Sequence, residues 1–249
     1  MLTFGFVRPQ PVRPAAVAGT WYPGRPVELA RAIGANLEAA ADAWRGDIVG
    51  VIAPHAGLVY SGPVAAFAYR QLRGRSYDVV VLVGPSHHTG FEGVAVYRDG
   101  AFETPLGRTA IAADVASAII RDVAIARDLP GPHGREHSLE MQLPFLQTVL
   151  PGVPIVPMLM GRQSADTGVA LAEGLSAVLG GRRALVVASS DLSHYHDAAT
   201  AARLDGVVVD AIDRFDPERL ERALDRFPDH ACGGGPMAEP VPARAPGNG

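Results

Sequence analysis

The chain has 249 residues, 48% of them hydrophobic, with a formal net charge of -4 and a pI near 6.0. Such a chain can fill one full core, and its slightly acidic balance, with no dense basic cluster, excludes the electrostatic footprint of a nucleic-acid or anionic-membrane binder. All 22 basic residues are arginine, which removes Schiff-base, P-loop and kinase-type lysine chemistry, and a single cysteine, Cys232, removes intrachain disulfides.

The apolar part of the opening run, MLTFGFVRPQPVRP, is too short for a signal peptide, and no stretch reaches the roughly 20 apolar residues of a membrane span. A cytoplasmic protein is therefore expected, with a small-molecule or peptide ligand and neither nucleic acid nor membrane as partner. Residues 1–14 read as an irregular arm, residues 15–237 as one α/β domain and residues 238–249, AEPVPARAPGNG, as a disordered tail without apolar periodicity.

Along the domain, Gly19-Thr20-Trp21-Tyr22-Pro23 is a loop carrying an aromatic pair, and Leu29, Ile33 and Leu37 recur at helical spacing. The run DIVGVIAP at 47–54 predicts a buried strand that leads into His55-Ala56-Gly57, and Tyr60-Ser61-Gly62-Pro63 opens a helix reaching Leu72. A second buried strand, VVVLVGPSHH from Val79, delivers His87 and His88 to its carboxyl end. GVAVY and FETPLG read as a strand and a turn, and Ala113 to Arg121 as a helix. The segment LPGPHGREHSLEMQLPFLQTVLPG opens as a loop and turns helical near Ser138, with Pro144 shortening or kinking it. Then come a strand from Val153 to Met160, a helix from Ala165 to Leu179, and a strand from Ala184 to Ala188 that ends in Ser189-Ser190-Asp191-Leu192-Ser193-His194. Helices at Ala199–Asp213 and Pro217–Phe227 lead to Cys232-Gly233-Gly234-Gly235-Pro236.

Apolar strands alternating with helices predict an α/β/α sandwich around a mostly parallel or mixed sheet, in which ligands bind at the carboxyl ends of strands. Three predicted strand ends carry His55, His87 with His88, and Asp191 with His194. Two imidazoles with one carboxylate or thiolate make a reactive metal centre rather than a closed structural one. The three glycines after Cys232 let its backbone approach a site, which favours a ligand over a buried filler, and a cysteine nucleophile activated by imidazole stays open beside it. A serine hydrolase is disfavoured because Ser189, Ser190, Asp191 and His194 lack the nucleophile elbow. Asp191 can orient His194 as general base or cap a following helix. Glu136, His137 and Glu140 cluster at a helix start and can line the pocket or serve the helix dipole. His133 is expected in solvent, His88 and His196 at the periphery, and Trp21 and Tyr60 as pocket walls.

The motifs GTWYP at 19–23, APHAGLVYSG at 53–62, GPSHH at 84–88, EHSLEMQLPF at 136–145, SSDLSHY at 189–195 and CGGGP at 232–236 resemble, in order, those of the Memo family, known in prokaryotes as AmmeMemoRadiSam system protein B. The family is similar in fold to LigB-type class III extradiol dioxygenases, which use non-haem Fe(II). The resemblance implies His55, His87 and Cys232 at the metal, Fe(II) first with Cu or Zn as alternatives, and Asp191 and His194 as further pocket positions, His194 as acid/base. It further implies redox or dioxygenase-like activity on a small aromatic substrate, or else a vestigial pocket that binds a peptide or small anion. In an animal relative the pocket is associated with phosphotyrosine-peptide binding, and the prokaryotic label implies radical-SAM and AMMECR-type partners. Family members continue beyond CGGGP with a helix and a strand, so a truncated or frameshifted end is expected here, leaving a sheet edge unpaired and Cys232 poorly anchored.

Overall fold

A computed structural model describes residues 11–226 and 230–238. The first ten residues of the arm, Phe227 and the tail beyond Ala238 lie outside the described residues. The elements in chain order are β1 (Val12–Arg13), α1 (Pro26–Ala39), β2 (Gly50–Ala53), α2 (Leu58–Arg70), β3 (Val79–Pro85), β4 (Val94–Val96), β5 (Ala101–Thr104), β6 (Gly107–Ala110), α3 (Ala113–Asp122) and β7 (Ala126–Asp128). After them come α4 (Leu143–Val149), β8 (Ile155–Met160), α5 (Ala165–Leu179), β9 (Ala184–Ser189), α6 (Ala198–Asp213), α7 (Pro217–Arg226) and α8 (Gly234–Ala238). No described helix is long and apolar enough to cross a membrane.

The main sheet has the order β2-β9-β3-β8-β4-β7, parallel throughout except where β4 runs against β8. Every residue of β3 and β8 is buried, as continuous apolar runs covered on both faces must be. Helices α1, α2 and α4 pack together as one covering layer, and α3, α5 and α8 lie along the other. This is the α/β/α sandwich that the alternating pattern predicts. Among the described residues β2 is an edge strand, and Ile52 on it stays partly exposed.

Leu29, Ile33 and Leu37 are fully buried on α1, the face their spacing predicts. Helix α4 starts later than the leucine pattern suggests. Pro144 lacks an N–H and so fits the first helical turn, and Glu140–Gln142 form a separate 3-10 turn ahead of it. FETPLG is more than a turn, because Phe102–Thr104 belongs to β5 and Gly107–Ala110 pairs back on it as β6. That strand is mostly exposed and carries no apolar alternation to announce it.

The end of the supposed arm is built into the fold. Val12 and Arg13 pair in parallel with β5, and Arg13 is buried. Its guanidinium donates to the Glu140 carboxylate, to the Glu136 carbonyl oxygen and, at 2.9 Å, to the His133 carbonyl oxygen. Glu140 also accepts from the Tyr22 hydroxyl at 2.6 Å and from the backbone N–H groups of Ala16 and Val17 at 2.8 and 3.0 Å. Glu140 therefore fastens the GTWYP segment to the domain and does not line the pocket.

His133, expected in solvent, is 1% exposed. Its Nε2 donates to the Ala95 carbonyl at 3.1 Å, and its ring lies edge-on to Tyr97 and Phe102. The Gly-Pro context suggests an exposed turn, but Arg13 draws the His133 carbonyl inward and the ring follows. Burial lowers its pKa from 6.5 to about 4. As the pH falls from 6.5 towards about 4 the unfolded chain takes up a proton there that the folded chain refuses, so stability is lost across that window. The loss is roughly 3 kcal/mol at about 1.4 kcal/mol per unit, and it is complete below the folded value. His137, also lowered to about 4 by burial, adds to the same window. Urea unfolding of metal-free protein at several pH values between 4.5 and 7 should therefore show a smaller decline for His133→Gln, whose amide can still donate to Ala95. An unchanged decline counts against the buried neutral imidazole.

The end of β3 is held tightly. A Cβ on Gly84 would lie 2.8 Å from Leu139 Cδ2 and 2.9 Å from Ser138 Oγ, and Ser138 Oγ donates to the Pro85 carbonyl at 3.0 Å. Gly84→Ala should cost about 1–3 kcal/mol by overpacking, read as a lower urea midpoint with an unchanged slope.

Candidate metal centre

Strands β2, β9 and β3 are adjacent and parallel, so their carboxyl ends open at one place. His55 follows β2, His87 follows β3 and Asp191 follows β9. The Cys232 loop closes over them through several backbone contacts. Cys232 N–H donates to the Asp191 carbonyl at 3.2 Å, Gly233 N–H to Ser190 Oγ at 2.9 Å, and Gln163 Nε2 to the Cys232 carbonyl at 2.9 Å. A Cβ on Gly233 would stand 2.5 Å from both the Ser189 carbonyl oxygen and Ser190 Cβ, so glycine is what allows the approach. Ala231 and Met237, on either side, are buried in a small second apolar cluster with Val208, Ala211 and Leu220. The loop is thus anchored, contrary to the expectation of a loose Cys232.

Cys232 Sγ lies 3.1 Å from His55 Nε2, and Asp191 Oδ2 lies 4.0 Å from the same nitrogen. The possible ligand atoms of His55, Asp191 and Cys232 all fall within 4.8 Å of one another, and so do those of His55, His87 and His137. The two groups share His55. The His87 and His137 rings are stacked at 4.5 Å with an interplanar angle of 18°. Nearly parallel rings do not aim their lone pairs at one ion, so His137 would have to turn to join His87 as a ligand. Trp21 covers the His137 ring at 4.2 Å.

Glu136, buried behind this group, fixes His87. Its Oε1 accepts from His87 Nδ1 at 2.8 Å and from the N–H groups of His137 and Ser138, and its Oε2 accepts from His87 N–H at 2.6 Å. Nε2 of His87 is thereby left to face the pocket. Burial alone would keep the His87 ring neutral, but hydrogen bonds to Cys232 and Glu136 outweigh it and raise the pKa to about 10. Burial would likewise raise the Cys232 thiol, yet hydrogen bonds from His55 and His87 bring it down to about 6. The pair is an imidazolium and a thiolate near neutral pH, the form in which sulfur is a ligand. Burial works against the charge of Glu136 too, and its donors hold it well below the usual carboxylate range.

Asp191 does not cap a helix, since α6 is capped by Asp197. Its Oδ1 accepts from the N–H groups of His55 and Ala56 at 2.6 and 3.1 Å, and its Oδ2 approaches His194 Nε2 at 3.5 Å. His194 is 40% exposed at the side chain. His88 lies on the exposed side, its ring edge-on to His137 at 5.9 Å, and His196 is exposed. Tyr60 is 81% exposed. A Cβ on Gly57 would lie 3.6 Å from the Tyr60 ring and 3.7 Å from the Trp21 carbonyl, so the two aromatic positions flank the loop that carries His55. A cavity of about 660 Å³ lies at the opposite, amino end of these strands, near Val49, Tyr77 and Arg182, and shares no residue with the cluster.

A family model described as Memo-like protein matches residues 13–244. The chain belongs to the Memo family. It is 37% identical over 236 residues to a MEMO1 family protein of Pyrobaculum aerophilum, covering 91% of this chain and 84% of that one. A MEMO1 family protein of Thermotoga maritima is 34% identical over 238 residues (91% and 86%), and one of Methanothermobacter thermautotrophicus 36% over 243 (92% and 87%).

In this Memo-family chain the structure brings together His55, His87, His137, Asp191 and Cys232, with Glu136 hydrogen-bonded to His87 and His137 and His194 Nε2 lying 3.5 Å from Asp191 Oδ2. Two supporting residues escape sequence reasoning. Ser189 reads only as a candidate nucleophile, yet its hydroxyl is 2.8 Å from His55 Nδ1. Gln142, buried and polar among leucines, bonds Ser189 at 2.7 Å. The one signal for Gln142 is its place four residues after Ser138, inside an otherwise apolar face.

Proposed function

We propose that the pocket is a mononuclear non-haem metal centre in which His55, His87 and Cys232 hold Fe(II), and that it is redox-active or dioxygenase-like towards a small aromatic or related substrate. The observation that carries this reading is the convergence of imidazole, thiolate and carboxylate donors on His55, within 4.8 Å in each group. The donor chemistry fits such a metal, since two imidazoles and a thiolate leave coordination positions open. The soft thiolate makes Cu(I) a competitor, and Zn(II) accepts the same donors. When bound, Fe(II) supplies redox chemistry and polarises what binds beside it.

The protein's own groups do the rest. Glu136 keeps the His87 ring oriented. Asp191 holds His194 Nε2, which leaves Nδ1 to take a phenolic proton from a bound diol. Trp21, against His137, shields the donors from water on its side. A binding module without catalysis has one observation in its favour, the exposed aromatic positions Trp21 and Tyr60 beside the His55 loop. Oxygen uptake by Fe(II)-loaded protein with a panel of catechols decides between the two. The dioxygenase-like reading expects uptake that falls at least about a hundredfold in His194→Ala, the low end of an acid–base contribution. No turnover by fully loaded protein leaves the binding module.

A further inference from the structure

We infer that Ser189 is a positioning residue that sets the proton on the His55 ring, through a buried relay running Tyr69–Gln142–Ser189–His55. The inference rests on the reading of His55 as a metal ligand.

The direction of every bond in the relay is forced. Gln142 Nε2 is surrounded by oxygens: Pro54 O at 3.1 Å, Ser138 O at 3.4 Å, Ala53 O at 3.5 Å and Ser189 Oγ at 2.7 Å. Three of these are carbonyls, which only accept, so the NH2 group must be the end pointing there. The other end, Oε1, accepts from the Tyr69 hydroxyl at 2.6 Å. Ser189 Oγ receives the Gln142 N–H. It has one proton of its own, and the Ser138 carbonyl, 2.7 Å away, can only accept it. Towards His55 Nδ1, at 2.8 Å, the hydroxyl oxygen is therefore left as acceptor. Whatever its charge, the ring must therefore carry a proton on Nδ1, and Nε2, which faces the Cys232 sulfur at 3.1 Å, is the nitrogen that a metal would take.

The fold supports the relay. Ser189 is the last residue of β9, in register with Ala53 of β2, two residues before His55. Ser189, Gln142 and Tyr69 are all 0% exposed, and Tyr69 is stacked on Phe145 at 5.0 Å. No water is needed to satisfy the chain, and none of its members can rotate without leaving a buried polar atom unpaired.

The test uses full-length apo protein with ¹⁵N-labelled histidine, in which long-range ¹H–¹⁵N spectra report which ring nitrogen bears the proton and His55→Gln assigns the signal. The wild type should show the Nδ1–H form. Ser189→Ala should show the Nε2–H form or a mixture, and its Zn(II) affinity, read against a competing chelator, should fall about 10–100-fold, the usual cost of losing a residue behind a ligand. Ser189→Thr, which restores the hydroxyl, should recover both. A Ser189→Ala protein whose His55 Nδ1 stays protonated as in the wild type overturns the relay, as does a wild type whose Nδ1 is bare. If the wild type takes up no Zn(II), the metal reading fails while the ring spectra still decide the relay.

Discussion

His87→Ala should lower Fe(II) affinity at least about a thousandfold, some 4 kcal/mol, while leaving the fold intact. The effect exceeds that of Ser189→Ala because a donor atom is removed rather than its support. The fold should survive because the His87 side chain is 28% exposed at the mouth of the pocket, and Glu136 keeps the backbone donors of His87, His137 and Ser138. Dialysis against Fe(II) under anaerobic conditions, followed by elemental analysis and a thermal melt, reads both halves. Cys232→Ser separates the metals: a hydroxyl is a poor soft donor, so Cu(I) affinity should fall further than Fe(II) affinity. Equal metal retention in wild type and His87→Ala counts against this ligand.

Glu140→Ala should be the most damaging single change to stability, by about 3–5 kcal/mol, because it strands the Arg13 guanidinium as a buried unpaired charge. Against a net stability of about 5–15 kcal/mol this is a large share. The loss reaches the candidate site, since Glu140 also holds Tyr22 and, next to it, Trp21 over His137. Glu140→Gln, which retains an oxygen for Tyr22, should cost less. Urea unfolding of both variants checks the order, and a cost below about 1 kcal/mol for the alanine variant would show that the pair is not the staple described.

The layers of the fold are legible because buried parallel strands are written as continuous apolar runs. VVVLVGP and the run into Met160 need no partner information to be recognised. The exposed strand β6 and the two-residue β1 have no such pattern, and only pairing defines them. At the site, His55, His87 and Asp191 can be read because each ends an apolar run, where an α/β sheet places its ligands. Cys232 follows no strand, and its glycines are the clue that Gly233 bears out. What cannot be read is direction. Glu136 and Glu140 are four residues apart in sequence, yet one faces His87 and the other faces Arg13, 127 residues away in sequence. Nothing in the local spacing distinguishes them. The burial of His133 is hidden for the same reason, since a distant arginine draws its loop inward.

The ligand set itself is tested most directly by X-ray absorption at the iron edge on anaerobically Fe(II)-loaded wild-type protein. Coordination by His55, His87 and Cys232 predicts about one iron per chain, with one sulfur and at least two imidazoles in the nearest shell. A shell of nitrogen and oxygen alone, or no iron retained, would contradict it.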